Sequence, residues 1–533
     1  MSAVCLLRVL LSNDVPDTAE VGALKKENVE LKREARKLRM ALGEIEARID
    51  QRNGALSAIR RVPLEVLGQI FTFTLGAPTP LDEGVREELL NLGRVCQKWR
   101  DASLLTHELW SGVSVHPRNL RGSYDKIETW LSRAGSVPKS LHLLGPFNGH
   151  GHLASATTLE LLTRGPPLDH LYFESERIGD LEEFMYYFAL NHTDVPNRPW
   201  DNLRSLAITI EDQWIQDMWW FDAEDPSTSI FSYLPPVTSF SLHLPKQDMV
   251  FPDDDSEMLR LNIPPAFLGR LTSLEVACDW DGPHILVMLQ HCKNLEQLVV
   301  DVINSQAALD EAAITRQPFP RTGILLPKLR VLHLQRYTAD LRILDYLVTP
   351  ALTDLDIEMD GYELLRKTYP KPFVVDSIKD LQKRSNSQDT VRSLRLYNVH
   401  LAPKELVRIL AVVPSLTHLT LDRVKFATPG EISGFWRSLN NNKCLAHAQR
   451  LEVLRTEPAM AEDLFDSMLE FLVERGKGKR CEVTVSFQGA TIPTESDARR
   501  AWGWIGKDKD MSMEEFGLDF RVVWVPAVAD EDM

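Results

Sequence analysis

Cysteine is scarce in this sequence. The 533 residues hold six, Cys5, Cys96, Cys278, Cys292, Cys444 and Cys481, and no C-x-x-C pair. That spacing excludes a disulfide framework and fits reduced thiols of the cytoplasm or nucleus. Long apolar runs are missing too: no stretch approaches the roughly 18 residues that a bilayer-spanning helix needs, so no membrane role is expected. The opening MSAVCLLRVLLS is short, is broken by Arg8 and lacks a small-residue cleavage pattern, which argues against a secretory signal. Basic charge is in deficit. With 60 Lys plus Arg against 76 Asp plus Glu the net charge is −16, which argues against non-specific nucleic-acid binding. Gly (27) and Pro (31) are near average, excluding a collagen-like or wholly disordered chain.

Catalytic signatures are also wanting. There is no G-x-x-x-x-G-K-[ST] loop and no G-x-S-x-G elbow, and His107-Glu108 lacks the second histidine of a zinc-protease helix. Gly149-x-Gly151-x-x-Ala154 fits a dinucleotide fingerprint only on paper, because no βαβ context with a downstream ribose acid follows it. No catalytic residue, cofactor or metal is expected, and the chain is read as a non-enzyme.

What is present begins with a heptad pattern. Val21, Asn28, Ala35, Leu42 and Ile49 take a positions, and Leu24, Leu31, Leu38 and Ile45 take d positions. In a parallel pair of such helices Glu27 faces Lys32 and Glu34 faces Arg39, both attractive. Two readings stand: a homodimer through residues 21–56, or one amphipathic helix folded back on the next domain. The cluster Lys32, Arg33, Arg36, Lys37 and Arg39 reads as a solvated helix face or as a nuclear-import signal. Residues 1–20 are read as a disordered N-terminus.

Residues 59–113 begin with Val62-Pro63-Leu64-Glu65. Pro63 suits a helix's first turn, and Leu64, Leu67, Ile70, Phe71 and Leu75 recur at three- and four-residue steps, predicting one apolar face. A second helix is expected to align Leu89, Leu92, Val95, Cys96 and Trp99, with Trp110 closing the unit. About 50 residues build little core alone, so a partner should cover the remaining apolar surface. The segment resembles an F-box, whose pattern it matches at Val62, Pro63, Glu65, Val66 or Leu67, and then Val95, Cys96, Trp99, Arg100, Leu109 and Trp110. With the heptad helix in front and the long tail behind, it looks most like the expanded fungal F-box families. The resemblance implies that Val62, Pro63, Leu64, Leu67, Ile70, Phe71, Leu75, Val95, Cys96, Trp99 and Trp110 bind a Skp-type adaptor on a cullin scaffold.

The rest repeats an aliphatic at i, i+3 and i+5, starting at Leu168, Leu203, Val237, Leu271, Leu295, Leu329, Leu352, Val391 and Leu416, at intervals of 35, 34, 34, 24, 34, 23, 39 and 25. SLHLL from Ser140 and LEVLRT from Leu451 extend the series. These units resemble leucine-rich repeats, without the Asn or Cys side-chain ladder common there. The expected fold is α/β: an N-terminal coiled-coil-like helix and an all-α F-box, then an irregular leucine-rich-repeat solenoid over 138–455. Residues 456–533, with a helix from Ala461 to Glu474, a strand CEVTVSF from Cys481 and an acidic tail, should cap it.

Residues between the inward aliphatics should line a concave face. Its acids are Glu174, Glu275, Asp301, Asp354, Asp356, Glu358 and Asp422, with Arg395 as the only base. A target protein, basic at its contact, is expected on Asp354, Asp356, Glu358, Arg395 and Tyr397. His170, His243, His333 and His418 lie in separate units, about 10–15 Å apart where strands sit about 4.8 Å from each other, too far to share a metal. Trp214, Met218, Trp219, Trp220 and Phe221 read either as a binding hot spot or as a buried helix face. By resemblance the chain is the substrate receptor of an SCF ubiquitin ligase, in the ubiquitin-conjugation pathway. The alternative is a non-degradative scaffold.

Overall fold

The computed structural model describes residues 15–76, 80–116, 124–145, 153–175, 181, 184–185, 188, 195, 197–210, 229–244, 261–278, 284–301, 323–337, 342–359, 373–387, 389–399, 401–426, 428–441, 444–475, 480–488, 496–499 and 512–524. The Trp214 to Phe221 cluster, Gly149, Gly151 and the acidic tail lie outside these residues. The fold is mixed α/β, with a long N-terminal helix and a many-stranded parallel sheet that does not close into a barrel. Two compact units separate: Met1–Thr74 with Glu88–Thr106, and Leu75–Glu87 with His107–Met533.

In the first unit, helix α1 spans Thr18–Leu56. It starts three residues before the expected position 21, because Asp17 and Glu20 form a capping box. Asp17 accepts from the Glu20 N–H at 2.6 Å and Glu20 accepts from the Asp17 N–H at 2.9 Å. Residues 18–20 are therefore helical rather than disordered. Leu31 (57%), Leu38, Leu42, Ile45, Ile49 and Leu56 (75%) are all exposed, so this stretch is not folded back on a neighbouring element.

Helix α2 (Leu64–Leu75) follows Pro63 and carries two apolar stripes. Leu67, Phe71 and Leu75 are buried, and Leu64 is half-buried on the same side. Val66, Ile70 and Phe73 form the other stripe and face solvent, Phe73 being 87% exposed. The single expected face is thus corrected: at 100° per residue, Ile70 lies beside Val66 and Phe73. The second expected helix is also two. Helix α3 (Glu83–Val95) ends where Cys96 is extended (φ −161°, ψ 171°), and α4 spans Gln97–Leu105. The break leaves Val95 and Cys96 exposed while Leu89 is buried and Leu92 half-buried. Trp99 is half-buried, its ring 5.2 Å from that of Phe71. Gly68 is required where α2 meets the end of α4, since a Cβ there would sit 2.0 Å from Thr106 Oγ1.

The second unit holds β1 (Gly112–Val115), β2 (Ser140–Leu144), β3 (His170–Ser175), β4 (Ser205–Ile210), β5 (Ser239–His243), β6 (Ser273–Ala277), β7 (Gln297–Asp301), β8 (Ile324–Leu325) and β9 (Val331–Tyr337). β10 (Leu347–Val348), β11 (Asp354–Met359), β12 (Ser393–Tyr397), β13 (His418–Asp422), β14 (Arg450–Thr456), β15 (Cys481–Phe487) and β16 (Leu518–Trp524) follow. All except β8 and β10, which pair together, form one 14-stranded sheet in chain order, and every pairing is parallel. Each of the nine repeat units supplies one strand. Helices α5 (Tyr124–Ser132), α6 (Leu153–Arg164), α7 (Pro265–Leu268), α8 (His284–Leu289), α9 (Phe373–Ser385), α10 (Pro403–Val412), α11 (Pro429–Asn441), α12 (Ala461–Glu474) and α13 (Met513–Phe516) lie between strands. The sheet reaches past both expected limits, taking in β1 from the segment read as the end of the helical module and β15 and β16 from the cap.

The repeat works through register. Leu171, Leu206, Phe240, Leu274, Leu298, Leu332, Leu355, Leu394, Leu419, Leu451 and Val483 lie opposite one another from strand to strand. All are buried in one continuous core with the helix residues. Leu451 therefore takes the second aliphatic position, and its unit starts at Ala448. A ladder does exist at the strands' N-terminal ends, made by threonine. Thr238, Thr272, Thr353 and Thr417 each donate to the carbonyl of the preceding unit's equivalent residue, at 3.4, 3.2, 3.0 and 3.1 Å. Among the described residues no helix is long and apolar enough to cross a membrane.

Candidate functional site: the polar face of the sheet

Alternation along each strand sends one set of side chains into the core and the other onto an open face. Between β7 and β14 that face gathers Asp301, Arg336, Asp356, Glu358, Arg395, Tyr397, Asp422 and Arg455. Asp422, only 2% exposed, is the hub. Arg455 grips both its oxygens, Nε to Oδ1 at 2.7 Å and a terminal nitrogen to Oδ2 at 2.6 Å. Arg395 reaches Asp422 at 2.9 Å and Asp356 at 3.3 Å. Both guanidiniums lie over the Tyr397 ring, Arg455 at 4.8 Å and Arg395 at 5.4 Å from its centroid. Further along the sheet, on β9, Arg336 makes the same two-pronged grip on buried Asp301 of β7, with Nε at 2.8 Å.

Arg336 and Arg455 were not foreseen on this face. Each shares the alternation parity of core residues, Leu334 and Val453, and should point inward. Each instead has positive φ, 50° and 53°, where the strand pairing slips by a residue. The extra residue of a bulge turns the guanidinium to the polar side. An arginine at a core position of a strand pattern was the available signal, since an unpaired charge cannot be buried there.

The expectation of an acidic face with Arg395 as its only base is therefore corrected. Asp301, Asp356 and Asp422 are paired with arginine, and two more acids meet histidine: His142 lies 3.2 Å from Glu174 and His243 lies 3.3 Å from Glu275. Asp354 accepts from Thr353 Oγ1 at 2.6 Å. Glu358 forms no ion pair among the described residues. Of the predicted target-contacting set, Asp356, Arg395 and Tyr397 are joined directly through Arg395, Glu358 lies opposite Tyr397 in register, and Asp354 sits at the other end of β11. The separated histidines form no metal cluster; among the described residues there is none.

Electrostatics divide the carboxylates. Burial raises the Asp356 pKa, with Arg395 opposing, and burial followed by Asp301 raises that of Glu358. Burial would raise Asp422 as well, but its hydrogen bonds to Arg455 and Arg395 prevail and hold it below the ordinary carboxylate range. Cys292 is pushed up to about 12 by burial, leaving an inert thiol. For Glu358 the sign is clear. Its folded-state pKa exceeds the unfolded value of about 4.3, so its contribution to stability is lost as pH rises through the folded pKa. Glu358→Gln, which does not titrate, is expected to lessen that decline and to be more stable than the parent at pH 7 by less than about 1 kcal/mol, the site being only half-buried and still screened by solvent. Urea midpoints at pH 4.5 and 7 check this; an equal midpoint change at both values would contradict it.

The residues expected to meet an adaptor are dispersed. Pro63, Ile70, Val95 and Cys96 are exposed; Val62, Leu64 and Trp99 are half-buried; Leu67, Phe71, Leu75 and Trp110 are buried. Trp110 belongs to the second unit, its ring 4.6 Å from that of Trp130 with the Arg133 guanidinium 4.5 Å above it. Phe73, the most exposed aromatic of α2, was missed because a helix apolar on two sides does not reveal which side is inward. No family model matches the chain, and no curated protein matches it.

Proposed function

We propose that this chain is the substrate-recognition subunit of an SCF-type ubiquitin ligase, its F-box-like helices docking a Skp-type adaptor and its sheet presenting a target protein. The observation that carries the reading is the stripe of Val66, Ile70 and Phe73 on α2, left open to solvent on a helix opened by the Val62-Pro63-Leu64-Glu65 motif. An aromatic anchor between aliphatics on a helix face is the kind of patch that partners cover. The chain-order parallel sheet, its aliphatic ladder and its intervening helices support an irregular leucine-rich-repeat solenoid. In that reading the face between β9 and β14 holds the target, with Glu358 and Asp354 favouring a basic side chain and Tyr397 offering contact area. Catalysis belongs to other subunits; this chain supplies proximity.

Co-purification with a Skp-type adaptor tests the proposal. The parent should capture the adaptor, and Ile70→Asp and Phe73→Asp should each weaken capture at least tenfold, about 1.4 kcal/mol or more, while leaving the circular dichroism unchanged. Adaptor capture unaffected by both changes, or no capture by the parent, would leave the non-degradative scaffold as the better account.

A further inference from the structure

We infer that α1 is one half of a parallel, in-register two-stranded coiled coil, so that the docking partner of this exposed helix face is a second copy of the same chain. The apolar seam does not stop at Ile49. Past Arg52, which takes the next d position, Leu56 continues the a series, so the seam runs from Val21 to Leu56 with one charged interruption, about 53 Å at 1.5 Å per residue. Leu31, Leu38, Leu42, Ile45, Ile49 and Leu56 along it are all more than half exposed. A 39-residue helix with that much apolar surface in water gains from covering it.

Charge and polarity identify the cover. In a parallel pair, Glu27 meets Lys32 and Glu34 meets Arg39 of the other copy, each twice by symmetry; Ala41 meets Glu46 and Arg48 meets Asn53, which are neutral. None of these g–e contacts is repulsive; the one like-charge meeting is at Arg52, a d position that faces its own copy in the last turns. Asn28, the one polar a residue before the final turns, faces its own copy, where the two amides can hydrogen-bond. An antiparallel pair of equal overlap would set Asn28 against Ile45 and Val21 against Arg52, each mismatch made twice, and its Lys32–Arg39 repulsion would offset part of the attraction of Lys25 for Glu46 and Glu27 for Arg48. The seam of the helix is thus better matched to its own copy in the parallel orientation.

Sedimentation equilibrium of the full chain tests the inference, together with cysteine cross-linking. The parent should sediment as two chains of 60.6 kDa, and Leu38→Asp combined with Leu42→Asp should reduce it to one. Because those changes can also unravel α1, orientation is read separately. Leu31→Cys should cross-link to its own copy under mild oxidation well beyond the parent's background, while Val29→Cys, equally exposed but off the seam, should not. A monomeric parent at micromolar concentration, equal cross-linking at both positions, or cross-linking of Leu31→Cys only to a chain carrying Leu42→Cys would overturn it. None of these readouts involves the adaptor, so the inference stands or falls independently of the ligase reading.

Discussion

Replacing Asp422 by alanine is expected to destabilise the protein by roughly 3 kcal/mol, seen as a lower urea midpoint. Three nitrogen contacts of 2.6 to 2.9 Å end on this carboxylate, and its removal leaves Arg455 over the Tyr397 ring without a counter-charge. The loss sits at the low end for a broken buried pair because Arg395 is 43% exposed and keeps Asp356. Asn at 422 preserves the shape but not the charge, and should fall between parent and alanine. The pH dependence is a second readout. With the folded-state pKa held below the unfolded value of about 3.9, the stabilisation is complete above that value and disappears as pH falls through the folded pKa. The alanine variant should lack that part of the acid transition. If parent and variant lose stability in parallel below pH 4, the two-arginine clamp is not what anchors β13.

Trp436→Ala should cost about 3–5 kcal/mol, the range for emptying a large aromatic from a packed interior. The ring is among the largest fully buried side chains and lies 5.2 Å from Phe435 and 5.5 Å from Phe471, joining α11 to α12. Its Nε1 has no hydrogen-bond partner among the described residues, and a buried orphan donor costs of the order of 1–3 kcal/mol. Trp436→Phe removes that donor while keeping most of the packing, so it should be close to neutral in thermal unfolding. A phenylalanine variant as damaged as the alanine one would mean that the indole N–H is satisfied in solution.

These residues show what can be read before folding and what cannot. The nine strands were legible because one aliphatic spacing serves both the core and the register: Leu355 cannot be buried without lying beside Leu332 and Leu394. Arg336 and Arg455 were not, because a bulge changes the parity on which any such reading rests. Strand β16 was missed although Leu518, Phe520 and Val522 alternate; no third aliphatic three residues earlier announces it. On α2 the spacing named apolar residues correctly but could not divide them between core and surface, so Ile70 was grouped with Phe71 although they face different ways.

The chain-order pairing of the sheet bears on how the protein is made. Consecutive units are separated by 23 to 39 residues, so every strand finds its neighbour across a short loop of similar closure entropy. No strand of the main sheet waits for a distant one. As synthesis proceeds from the N-terminus, each new strand leaves the ribosome with its docking edge already formed, and the sheet can lengthen one unit at a time.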